Sequence, residues 1–282
     1  MSESTVPSLE EPRRRGGFLV APPVWHDILC LLAVAALAWG FHVVARILPT
    51  AALLLAWLLF TALIAAALLR RARVRRRAFL AVWIAPASAL QRWLRGGVLL
   101  ALRPVLLGAV LALFLLVALA RIQDPRTWLV LIAAGPALVL LRALLARRLA
   151  RHAGALYLPI LSWRAAALPV GAALTVALLA LAWHQAYPDF AGVSLERAVW
   201  HLVDQEQARS GPGLALLQAA AAKDALRLWL AQQLMPAPAS SLWNLLGWLL
   251  VLAEEMLFVW SYLLAGHGIL TRMGAHDRSD NR

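Results

Sequence analysis

Blocks of roughly 20 consecutive apolar residues, separated by arginines and prolines, decide what this chain can fold into. Residues 28–48, 51–69, 98–120, 127–146, 165–183 and 242–265 are each long enough to cross the hydrocarbon core as one helix. In lipid a spanning segment must satisfy its own backbone hydrogen bonds, and a helix does so. The spacing therefore predicts an all-α, polytopic helical membrane protein with about six transmembrane helices. Composition points the same way. The chain is 62% hydrophobic with a mean hydropathy of +0.74, whereas soluble domains are about 45–50% apolar.

The formal charge of +13 would suit a nucleic-acid partner, but the arginines gather at the ends of apolar blocks, where topology requires them. No nucleic-acid partner is expected. Arg70, Arg71, Arg73, Arg75, Arg76 and Arg77 put six arginines within eight residues, which the positive-inside rule holds in the cytoplasm. They read as a topology anchor against the anionic headgroups of the bilayer. Arg147, Arg148 and Arg151 mark the same side, as do Arg272, Arg278 and Arg282. The pattern predicts a multi-pass protein of a bacterial inner membrane with both termini cytoplasmic.

Taken in order, residues 1–24 read as a disordered cytoplasmic tail with no cleaved signal peptide. Residues 25–183 hold helices one to five and two arginine-rich elbows, 70–97 and 147–164. The elbows contain short, Pro-broken apolar stretches, 78–94 and 156–163, expected to lie at the interface as separate helices. Residues 184–240 carry five acidic and four basic side chains and are expected outside the cytoplasm as an amphipathic helix pair. The first of the pair, 194–209, starts at Ser194, a suitable N-cap. The second, 213–234, has Lys223, Asp224 and Arg227 in its middle. Residues 241–266 form the sixth membrane helix, and 267–282 a cytoplasmic tail.

That sixth helix carries the residues that most need explaining. Glu254 and Glu255 fall near the middle of an apolar block, where a carboxylate costs several kcal/mol by insertion scales. The intramembrane cations predicted to answer them are Arg103 and Arg142, about 8 Å nearer the cytoplasm along the helix axis at about 1.5 Å per residue. The pair reads as half of a Glu–Arg clasp, with a proton or cation site as the alternative.

Enzyme signatures are few. A Glu-Glu pair inside a membrane helix resembles the first motif of the membrane-embedded CAAX-protease-like family, which continues after three residues with arginine. Val259 stands at that position, and too little chain follows for the later histidine-bearing helices, so the resemblance is set aside. The histidines are scattered without HxxxH or HExxH spacing, and Cys30 is the single cysteine, so neither a metal nor another cofactor is expected. His42 reads as a hydrogen-bonded packing residue.

Of the 13 tryptophans, Trp25, Trp83, Trp93, Trp128, Trp163, Trp183 and Trp243 fall where interfacial belts are expected. Trp200 and Trp229, one on each outer helix, read as contacts to a partner or to the outer leaflet. The expected function is a non-enzymatic subunit or accessory protein of a membrane complex. It would bind a membrane-protein partner, or a second copy of itself, through the outer pair and the last helix. A proton- or cation-coupled transporter or channel using Glu254 and Glu255 is the alternative.

Overall fold

The computed structural model describes residues 24–83, 98–152, 157–185, 187–190, 192–234 and 241–276. These form α1 (Val24–Val44), α2 (Thr50–Trp83), α3 (Val98–Ala120), α4 (Pro125–Leu149), α5 (Leu158–Trp183), α6 (Leu195–Val203), α7 (Gly211–Leu234) and α8 (Ser241–His276). No strand occurs among the described residues. Among the described residues five helices, α1 to α5, are long and apolar enough to cross a membrane. Only 22% to 39% of the residues in their apolar windows are buried, so most of that surface faces outward. Leu55, Val110, Leu129 and Val176 are among the exposed residues. Water would not tolerate such a surface, and lipid does. The chain is a multi-pass helical membrane protein.

Helices α1 to α5 and α8 enclose one core, in which Phe60, Ile64, Leu115, Leu119, Leu131, Trp163 and Leu264 are almost fully buried. One end of the bundle carries the arginines of α2 and α4, and we call it the arginine end. The other end carries the turn after α1, the turn after α3 and the cap formed by α6 and α7.

Close approach depends on small residues. A Cβ on Gly108 of α3 would sit 3.1 Å from the backbone nitrogen of Ala65, and one on Gly268 of α8 would collide with the Leu63 carbonyl. Small side chains let membrane helices meet backbone to backbone. Two buried hydroxyls are satisfied within their own helices: Thr175 donates to the Gly171 carbonyl (2.9 Å) and Ser261 to the Leu257 carbonyl (2.7 Å). His42 shares a 2.9 Å hydrogen bond with the Leu119 carbonyl, the packing role its isolation implies.

The elbows differ from expectation. The arginine run is helical and α2 continues through it to Trp83, because residues 70–83 contain no helix breaker. The remainder of the first elbow, 84–97, lies outside the described residues. The stretch 156–163 is no separate helix either: from Leu158 on it is the first turns of α5. Pro159 stands at the start of that helix, where proline is tolerated, and the Pro169 in its interior does not break it.

The cap begins where the sequence predicts. Ser194 Oγ accepts from the Arg197 amide at 3.5 Å, and α6 buries Ala198 and Val203. It ends at Val203, earlier than the expected 209, because residues 204–210 run instead to the turn after α1. There the Arg209 amide donates to the Arg46 carbonyl at 2.9 Å, and Ser210 Oγ lies 3.0 Å from Thr50 Oγ1. The loop before α6 is tied to α7. Gln232 accepts from the Phe190 amide (2.6 Å) and donates to the Pro188 carbonyl (2.9 Å), and Trp229 donates to the Val193 carbonyl (2.8 Å).

Candidate functional site

Charged residues from five parts of the chain meet where the cap covers the bundle. Arg46, in the turn after α1, lies 3.6 Å from Glu206, which is also 3.3 Å from Arg121 at the end of α3. Arg121 Nη1 is 3.1 Å from Asp224 of α7, a charge contact without hydrogen-bond alignment. Lys223 stands 3.3 Å from Asp224 and donates to Glu254 of α8. Arg227, one turn along α7, donates to the other oxygen of Glu254 at 3.3 Å. The result is an unbroken chain of ion pairs from the first turn of the bundle to its last helix.

Glu254 thus has partners, but not the predicted ones. Arg142 instead donates to Asp27 of α1 at 3.0 Å near the arginine end, and Arg103 is exposed on α3. The cations of Glu254 come from the cap because the glutamates do not sit at mid-helix depth within the bundle. From Glu254 to the end of α8 is about 33 Å at about 1.5 Å per residue, already enough to cross a core of about 30 Å. Phe258, Val259, Tyr262, Leu263, Leu264 and Ala265 are buried in that downstream part.

Glu255 behaves differently. It makes no hydrogen bond or ion pair among the described residues. It lines, with Glu254, a cavity of about 580 Å³. Phe114, Leu178, Leu228 and Phe258 contribute apolar wall, and Gln123, Thr127, Gln185 and Tyr187 contribute neutral polar groups. Burial raises the pKa of the Tyr187 phenol; Arg227 lowers it, while Glu255 and Asp224 raise it. The phenol therefore keeps its proton near neutrality and can donate it. Asp124, also in the wall, accepts from the Arg126 amide at 2.8 Å and caps α4.

The other predicted residues separate into distinct surroundings. Trp200 is 56% exposed on α6. Trp229 is half-buried and spends its indole N–H on Val193, which makes it a staple of the cap. In the arginine run, Arg73 and Arg75 are exposed, whereas Arg70, Arg71 and Arg76 are half-buried. Arg71 turns over the Trp260 ring, 5.3 Å from its centre, so it takes part in packing as well as charge. The side chain of Arg77 lies outside the described residues. Trp25 and Trp183 are exposed as belt residues should be, but Trp163 is 1% exposed and stacks on His267.

Sequence reasoning missed Lys223, Arg227 and Arg121 as partners. One signal was present: Lys223 is the chain's only lysine and stands one helical turn from Arg227, on the same face. No group of three or more His, Cys, Asp or Glu side chains suited to a metal occurs among the described residues. Neither family models, nor curated proteins, nor solved structures give a match to this chain.

Proposed function

We propose that this chain is a non-enzymatic subunit or accessory protein of a bacterial inner-membrane complex, and that it binds its partner through the cap and α8. In this reading α8 is a sixth crossing, both termini are cytoplasmic, and the arginine end faces the cytoplasm and its anionic headgroups. The observation that carries the reading is Trp200, 56% exposed on a cap that hydrogen bonds and ion pairs fix to the bundle. A rigidly presented tryptophan contributes contact area at little entropic cost, which is why it recurs as an anchor in interfaces. The length of α8 supports the same reading. A crossing that starts after Glu254 leaves the apolar residues 242–253 beyond the bundle, and Leu249 and Leu252 there are exposed.

Tagged full-length protein should co-purify with a partner in mild detergent, and Trp200→Ala should reduce recovery of that partner without changing abundance. Unchanged complexes in both Trp200→Ala and a variant lacking 194–234 that still inserts would rule the reading out.

The cavity favours a second reading, a proton- or cation-coupled transporter, because it brings solvent-accessible space to Glu255. Here Glu255→Gln should abolish transport in vesicles at normal abundance. Parallel loss of protein would count against it.

A further inference from the structure

The balance of charge in the cavity wall identifies what it can hold. Arg121 and Arg227 face Asp124, Asp224, Glu254 and Glu255. Arg227 is engaged by Glu254 and Arg121 by Asp224 and Glu206, so both guanidinium charges already face carboxylates. Lys223 reaches Glu254 from outside the wall, and Asp124 is occupied in capping α4. Glu255 makes no hydrogen bond or ion pair of its own among the described residues and stands beside open space, with Arg227 and Lys223 acting on it only through their charge.

We propose that this cavity binds a small organic cation, a primary or quaternary ammonium on a short apolar body, with Glu255 as its counter-ion. A carboxylate in a partly desolvated site attracts a cation far more strongly than one in water. The phenyl rings of Phe114 and Phe258 and the leucine wall favour an alkylammonium over a small, strongly hydrated inorganic ion. Tyr187 and Gln185 supply further groups for an ammonium N–H or a neighbouring hydroxyl. The volume lies within the range of about 300–1,000 Å³ usual for small-molecule sites. The ammonium could arrive on a soluble amine or on the headgroup of a membrane lipid, since the cavity lies at an end of the bundle. The inference rests on the cavity alone and stands apart from the partner reading.

The test uses full-length protein in nanodiscs of phosphatidylglycerol, titrated calorimetrically with ethyl-, butyl-, phenethyl- and tetramethylammonium against sodium. At least one organic cation should bind saturably where sodium does not, and Glu255→Gln should weaken it about tenfold or more. Leu228→Trp, which fills the cavity without touching a charge, should abolish binding and keeps the test decisive if Glu255→Gln fails to fold. Repeating the titration in phosphatidylethanolamine separates the sources. A loss of apparent affinity there identifies the lipid headgroup, and an unchanged affinity identifies a soluble amine. No saturable binding by any of the four, or binding untouched by both substitutions, overturns the proposal.

Discussion

Adjacent glutamates on one helix point about 100° apart, and here that angle separates a bonded carboxylate from an unbonded one. Glu254 is held by Lys223 and Arg227, whereas Glu255 faces the cavity. Their removal should therefore have unequal consequences. In Glu254→Gln, Arg227 loses its anion, Lys223 keeps only Asp224, and the hold of α8 on α7 weakens. Lys223 is 47% exposed, so solvent screens the pair and the loss should be about 1 kcal/mol. Hydrogen exchange along α7 should quicken by roughly fivefold in Glu254→Gln and stay unchanged in Glu255→Gln. Equal acceleration in both would show that Glu255 also supports the cap. The sequence made this pair conspicuous because charge inside an apolar block is costly. It could not name the partners, since Lys223 and Arg227 stand 31 and 27 residues before Glu254 and read as the polar middle of another helix. Only the fold brings them to one end.

The helices themselves were legible where hydrophobicity alone defines them and less so where continuity does. The spans of α3 and α7 follow from apolar blocks bounded by arginine, glycine or proline. The first turns of α5 were read as a separate elbow because arginine and proline resemble a boundary, although both are compatible with a helix start. Along α8 the packing adds what the apolar pattern alone does not show. A 36-residue helix is longer than one crossing needs, and the centre of its apolar stretch is not the centre of its packed part. The packed part depends on Gly268, where any side chain meets the Leu63 backbone. Gly268→Ala should force α8 away from α2 at a cost of about 1–3 kcal/mol. Thermal unfolding in detergent should record it, with Gly40→Ala as the control because its Cβ would meet open space. A midpoint no lower than that of the control would mean that α2 and α8 can separate without loss.

At the scale of the whole molecule, the two ends differ in kind. One presents arginines that anionic headgroups can neutralise, and the other balances its charges internally through the cap. The proposed orientation rests on that asymmetry: the self-neutralised end would be exported, and the arginine end would resist transfer. In the proposed topology the side of the termini depends on parity: five crossings would separate them, and α8 as a sixth would reunite them. Cys30 is buried, so a Cys30→Ala background permits labelling at chosen positions. In that background a membrane-impermeant maleimide should label Glu196→Cys, on exposed α6, in intact cells. Arg75→Cys, on the exposed face of α2, should react only after permeabilisation. A phosphatase that is active only outside the cytoplasm, fused after Arg282, should be silent. Activity of that fusion alongside outside labelling of Glu196→Cys would mean that α8 does not cross. That outcome would conflict with the packing of α8, whose Val259, Leu263 and Leu264 are buried in the same core as α1 to α5.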